Sequence, residues 1–335
     1  MEQVTLGVIG AGRIAHVMCD AYAELPQAKL LAVTDVNRAA ADTVKSKYGM
    51  EKVYATYEEL LADDAIHAVV ICTPTPTHAA ITIKAAEAGK HIFCQKPMAL
   101  TLEDCDAMVA AVKNAGVVLQ IGFMLRFTPP FGEAKKWLDE GEIGDVVGIT
   151  SSLFGWVPSA DWFYDPKIGG GVLIDSLSHT FDLFRWYNGD FATVYASGGA
   201  FVLDGAKRYG TADNVMAHFR FRNGTIGNLY GSWTSGYGDL TVQVYGTNGT
   251  ISIDLMEKQG GSFYIRNRRN ESSRPQGWSN MGILWKYGYQ GEARHFINTL
   301  LGKAKPMPTG EEGREAIRAL LLASKSMRTG KIMKL

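Results

Sequence analysis

The chain has 335 residues, 46% of them hydrophobic and 20% charged; at roughly 150 residues per domain this implies about two globular domains and excludes disorder and collagen. Thirty-four Lys plus Arg balance thirty-four Asp plus Glu, so no basic field is offered to phosphate backbones or anionic lipid, and neither a nucleic-acid partner nor a membrane role is expected. Apolar runs such as Ala68–Cys72 fall far short of the roughly 18 residues that span a bilayer, and Cys19, Cys72, Cys94 and Cys105 show no CxxC spacing, so a reduced, cytoplasmic setting is expected.

Glu2 and Gln3 precede the first apolar run, which does not resemble a signal peptide. The first third then alternates apolar strand patterns at Val4–Ile9, Leu30–Asp35, Ala68–Cys72, His91–Cys94 and Val117–Ile121 with amphipathic helical patterns around 13–24, 38–48, 77–89 and 101–115. Alternation of this kind implies parallel strands covered by helices on both faces. From about residue 145 the pattern is β-rich, with segments near 146–154, 192–203, 213–222, 225–234, 239–246 and 249–254 that read as an antiparallel sheet. Asn223-Gly224 and Asn248-Gly249 read as type I′ hairpin turns, whose two central residues both need positive φ. A helical pattern follows Gly169-Gly170-Gly171 and runs to about Tyr187, and two more lie near Gly291–Leu301 and Glu311–Met327. The polar, basic stretch from Arg266 to Gly277 reads as a solvated loop.

Gly10-Ala11-Gly12-Arg13-Ile14-Ala15 follows a strand and opens a helix, the setting that gives G-x-G-x-x-G/A its meaning. Gly10 permits the tight turn, Gly12 lets the backbone approach a pyrophosphate, and the helix N-terminus presents N–H groups to it. Asp35 ends the next strand, where a carboxylate reaches the adenosine ribose hydroxyls and repels a 2′-phosphate. NAD is therefore favoured over NADP, with Arg38 nearby softening the preference.

Four further motifs stand in order along the chain: Thr73-Pro74 with His78, Gln95-Lys96-Pro97, Gly169-Gly170-Gly171 with Asp175 and His179, and Tyr289-Gln290-Gly291-Glu292 with Phe296. With the glycine loop they resemble the glucose–fructose oxidoreductase/inositol dehydrogenase (Gfo/Idh/MocA) family across nearly the whole chain. The resemblance implies an α/β protein with an N-terminal Rossmann doubly wound parallel sheet, residues 1–122, that binds NAD(P). It further implies a C-terminal α+β domain, residues 123–335, built on a mostly antiparallel open sheet that binds substrate and mediates assembly into a homodimer or homotetramer. It makes Thr73, Pro74, His78, Gln95 and Lys96 cofactor contacts beside Gly10, Ala11, Gly12, Arg13, Ile14 and Asp35.

Asp175 and His179 are four apart on one helical pattern, so their side chains share a face and can meet one substrate. Oxidising an alcohol requires a base for the hydroxyl proton as hydride leaves carbon, and imidazole suits that task, which makes His179 the candidate base. Lys96 lies at the C-terminal end of a parallel strand, where open α/β sheets place ligand chemistry, and its charge would stabilise developing alkoxide. Asp175 would hold a neighbouring hydroxyl and orient His179. The resemblance assigns the same three roles. Taken singly, each has a plainer reading: a histidine bonded to backbone, a solvated lysine, a capping or ion-paired aspartate.

The family usually carries Glu before Lys-Pro; here Gln95 stands there, and its neutral amide cannot pair with the Lys96 ammonium. Arg126, in Phe123-Met124-Leu125-Arg126-Phe127, resembles a family arginine near cofactor or substrate, with a structural ion pair as the equal alternative. Trp156, Trp162, Phe163 and Tyr164 could stack on a sugar ring, although packing is the preferred reading; Trp162, Tyr237 and Tyr289 are candidates for lining the substrate site. His16, His67, His91, His218 and His295 have no spaced partner, and no metal-ligand spacing occurs, so no metal is expected. The leading reading is an NAD-dependent dehydrogenase acting on a secondary hydroxyl of a cyclitol or sugar. An NAD-dependent glycosidase or lyase, or a non-catalytic sugar-sensing regulator, would share most of these motifs.

Overall fold

The computed structural model describes residues 2–155, 157–236, 238–256, 260–267, 276–278 and 281–335. It divides into two compact units, Met1–Met124 with Gly288–Glu315, and Leu125–Tyr287 with Ala316–Leu335.

In the first unit β1 (Val4–Ile9), α1 (Arg13–Ala23), β2 (Ala28–Thr34), α2 (Arg38–Tyr48), β3 (Lys52–Tyr54), α3 (Tyr57–Leu61), β4 (Ala68–Ile71), α4 (His78–Glu87), β5 (His91–Gln95), α5 (Leu102–Ala115) and β6 (Leu119–Gly122) follow one another. The strands form one sheet in the order β3-β2-β1-β4-β5-β6, and every pair is parallel. This is the order of a dinucleotide-binding sheet, and the switch point lies between β1 and β4. Burial on both faces explains the continuous apolar runs: all four residues of β4 are buried. Helix ends follow local chemistry. Asn37 caps α2 by accepting from the Ala40 N–H, and Gly49 ends it at φ +63°.

The second unit contains α6 (Pro129–Asp139), β7 (Val146–Phe154), α7 (Gly171–Asp175), α8 (Ser178–Asn188), β8 (Phe191–Gly199), α9 (Asp204–Tyr209), β9 (Asn214–Phe221), β10 (Ile226–Ser232), β11 (Asp239–Gly246), β12 (Gly249–Met256), β13 (Gly260–Asn267) and β14 (Gln276–Trp278). Then come α10 (Met281–Leu300), α11 (Gly310–Thr329) and β15 (Met333–Lys334), with unit boundaries inside both helices. Nine strands are ordered β14-β13-β12-β11-β7-β10-β9-β8-β15. From Val215 onward burial along β9 alternates strictly. Phe219 meets Phe181 and Phe184 of α8 at ring distances of 5.0 and 5.8 Å on the inner face, while Tyr195, Met216, Ile226 and Tyr245 stand exposed on the other.

Four expectations are corrected. The second sheet is mostly antiparallel, as the resemblance implies, but not wholly antiparallel: β7 and β10 pair in parallel. The Asn223-Gly224 hairpin has three loop residues rather than two: Phe221 N–H donates to the Thr225 carbonyl and Gly224 N–H to the Phe221 carbonyl, with Gly224 supplying the positive φ that the final position needs, +89°. In the next hairpin Tyr245 pairs with Thr250, so the turn is Thr247-Asn248 and Gly249 already belongs to β12. The helical pattern from Gly171 to about Tyr187 is two helices; the Leu177 N–H reaches back five residues to the Val172 carbonyl, one residue more than an α-helix spans.

The compact units also differ from two consecutive blocks of sequence. Residues Ala293, Phe296 and Ile297 of α10 complete the core of the first unit. There Phe93 lies 5.7 Å from Phe296 and 6.4 Å from Tyr22, both edge-on, a favoured ring geometry. The expected loop from Arg266 to Gly277 falls largely outside the described residues, which give backbone in β13 up to Asn267 and in β14 from Gln276.

Candidate active site

The loop after β1 has the form that a diphosphate requires. Gly10 sits at φ +97°, and a Cβ there would come within 2.8 Å of the Cys72 carbonyl carbon, so only glycine fits against the end of β4. Gly12 has open space where a side chain would be. It is the N-cap of α1 without a side-chain cap, and the first turn carries no acid to compete with an incoming anion. Asp35 closes the loop from β2: its Oδ2 accepts the Ala11 N–H at 2.7 Å and its Oδ1 the Asn37 N–H at 2.7 Å. Val36, which the sequence did not single out, is fully exposed beside Asp35. Arg38 is spent on an exposed i,i+4 pair with Asp42 at 3.1 Å. Gly10, Ala11, Gly12, Arg13, Ile14 and Asp35 are thus brought together, and they fit a dinucleotide.

The ends of the neighbouring parallel strands supply the next groups. Thr73 and Pro74 follow β4, and Thr77 Oγ1 donates to the Pro74 carbonyl at 2.8 Å. His78 begins α4 and is 1% exposed. Gln95 ends β5, buried with its Nε2 lacking a hydrogen-bond partner among the described residues, and half-buried Lys96 follows directly. Tyr289 packs half-buried against the core of this unit.

Behind these groups Glu292 is 0% exposed, and neither its carboxyl oxygens nor the Tyr22 hydroxyl has a hydrogen-bond partner among the described residues. Burial holds the Glu292 carboxyl well above the usual carboxylate range. Its backbone carbonyl accepts from Gln120 Nε2 at 3.0 Å. The motif containing Glu292 was visible in the sequence; its buried acid was not singled out.

In the second unit Asp175 ends α7 and His179 lies in the first turn of α8, so their common face does not follow from one continuous helix. A short relay holds Asp175: Trp233 Nε1–H donates to Ser176 Oγ at 2.8 Å, and Ser176 Oγ–H donates to Asp175 Oδ2 at 3.3 Å. Neither Ser176 nor Trp233 was read from the sequence, since they lie 57 residues apart. The glycines ahead of α7 are steric: a Cβ on Gly169 would reach 2.6 Å from the Phe163 backbone. Trp162 is partly exposed and stacks on Phe163 at 3.5 Å between ring centroids.

Arg126 takes the structural alternative. Its guanidinium donates to both oxygens of Asp182, at 2.8 and 2.6 Å, with each side chain 1% exposed, and it lies 5.5 Å from the Trp186 ring. Tyr237 and Trp156 lie outside the described residues.

Several groups serve the scaffold. His67 Nδ1 accepts the Thr5 N–H and His91 Nδ1 the Val118 N–H, each at 3.0 Å. The four cysteines are buried free thiols, and burial pushes Cys19 and Cys105 up to about 12, far from nucleophilic. Among the described residues no helix is long and apolar enough to cross a membrane.

A parallel sheet of this order with a glycine loop fit for a diphosphate and a carboxylate bonded into it, joined to a large mixed sheet, defines an NAD-binding oxidoreductase of two units. Residues 4–123 match the oxidoreductase family with an NAD-binding Rossmann fold, and residues 131–252 match the GFO/IDH/MocA C-terminal domain. The chain belongs to the Gfo/Idh/MocA family. It is 37% identical to scyllo-inositol 2-dehydrogenase (NAD(+)) of Bacillus subtilis, over 77% of this chain and 76% of that protein. It is 32% identical to myo-inositol 2-dehydrogenase of Thermotoga maritima, over 98% of each. Among solved structures, levoglucosan dehydrogenase in complex with NADH and levoglucosan superposes with a TM-score of 0.89 at 25% identity, covering 99% of both chains.

Proposed function

We propose that the protein oxidises a secondary hydroxyl of a cyclitol or sugar, reversibly, with NAD as the acceptor. The observation that carries this is the diphosphate loop with Asp35 bonded into it, in a chain whose relatives are named for oxidising inositols and levoglucosan. When bound, NAD supplies the hydride acceptor. His179 takes the hydroxyl proton as general base. The Lys96 ammonium stabilises the developing alkoxide. Asp175, oriented through Ser176, holds a neighbouring hydroxyl and aligns the imidazole. Trp162, Tyr237 and Tyr289 supply surfaces for the ring, and Arg126 serves the site only through its buried ion pair with Asp182. The second unit also carries assembly into a homo-oligomer through its open sheet face.

The test is turnover of inositols and aldoses by wild type and His179→Ala. Wild type forms NADH; the variant does so about 10²- to 10⁴-fold more slowly, the usual contribution of a positioned base, with NAD affinity by fluorescence unchanged. Near-wild-type turnover in His179→Ala would remove it as the base.

A further inference from the structure

His78 was expected to touch the cofactor, yet its ring is already occupied. Nε2 lies 2.9 Å from the Thr73 carbonyl oxygen and Nδ1 lies 3.0 Å from that of Pro97. The two carbonyls belong to segments leaving different strands. Thr73 follows β4, and Pro97 follows Lys96 after β5; these strands are parallel neighbours with Ile71 opposite Cys94. Beyond those pairs the ladder ends, so backbone bonding between the strands no longer fixes the distance between the two segments. The imidazole spans that gap, and at 1% exposure no water competes for it. We propose that His78 is a positioning residue: it straps the cofactor loop at Thr73-Pro74 to the segment carrying Lys96, through one backbone carbonyl on each.

Both partners are acceptors, so a neutral ring donates to one carbonyl and a protonated ring to both. Burial, the largest effect, pulls the ring's pKa below its ordinary value against its bonds to backbone at Thr73, Pro97 and Met98, so the neutral ring serves the two carbonyls through its two tautomers, bonding one at a time. Leaving either carbonyl without its donor is unfavourable and lets that segment drift. Because the role given to Lys96 is itself the proposed catalytic one, this inference rests on that reading for its effect on turnover but not for the strap.

Amide side chains separate the two arms. Asn places an N–H where Nδ1 stands, and Gln places one where Nε2 stands. In His78→Gln, which keeps the Thr73 arm, NAD affinity stays within about twofold, amide hydrogen exchange accelerates at residues 96–99, and kcat falls about tenfold, the equivalent of one lost bond. In His78→Asn, which keeps the Pro97 arm, NAD binds about tenfold more weakly, exchange accelerates at residues 73–77, and kcat falls less than threefold. Equal changes in both segments with either variant, or none in folded protein, would overturn the strap. Nitrogen-15 NMR of the wild-type ring tests it without any variant: a slowly exchanging ring N–H is expected, and a freely exchanging one overturns it. Exchange, NAD binding and the ring signal need no polyol, so failure of the polyol reading would remove only the kcat arm.

Discussion

Asp35 shows how the fold fixes one side chain: both carboxylate oxygens take backbone N–H groups, from Ala11 and Asn37, so the charge is held in place where the proposed cofactor would meet it. Glu292 is the opposite case, a carboxyl whose complete burial, with no hydrogen-bond partner among the described residues, favours its neutral form. Its folded-state titration lies above the unfolded one, so the folded protein holds an extra proton and stability falls as pH rises out of the ordinary carboxylate range. Glu292→Gln carries no such proton. It should melt at a higher temperature than wild type near about pH 8, with the gap closing towards about pH 4; scanning calorimetry at both values checks this, and a pH-independent gap would contradict it. The placements legible in the sequence were local ones, such as Gly10 in its turn and the position of Lys96 directly after its strand. Ser176, Trp233 and Asp182 were not legible, because their partners are distant in the chain and no spacing rule joins them.

Elements were readable where burial imposes a period. The buried runs of β1 and β4 and the alternation along β9 and β11 gave bounds close to those observed. Short edge pieces carry too few residues to show one: β3 has three half-buried residues and β15 only two. Helix α6 went unread because Pro129 and Pro130 open it, a position where proline is tolerated but reads as a break. Pairing direction has no sequence period either, which is why the parallel β7/β10 pair was missed. Helix α10 began ten residues earlier than expected, at Met281 rather than Gly291, yet its role is clear from Phe296, which is fully buried against the first unit's core. Phe296→Ala should destabilise that unit by about 3–5 kcal/mol, the range for deleting a buried aromatic ring. Urea denaturation should show the loss; a change below about 1 kcal/mol would mean that α10 is not part of this core.

For the whole molecule, one face of strands β8 to β11 carries exposed apolar side chains among the described residues. Met216 is 54% exposed and Ile226 45% on strands whose other face is filled by α8, and exposed apolar positions grouped on one face mark a contact surface. A second copy covering this face gives a homo-oligomer, which light scattering at micromolar concentration should report; a monomer mass would refute it. The central claim is net hydride transfer from a polyol carbon to NAD. It is tested most directly with inositols and aldoses deuterated at the carbinol carbon, supplied with NAD or NADP, and with mass spectrometry of both products. The account predicts a ketone or lactone product together with deuterium in the reduced cofactor, and faster reaction with NAD. Deuterium returned to a cleaved or eliminated product without accumulation of reduced cofactor would contradict it.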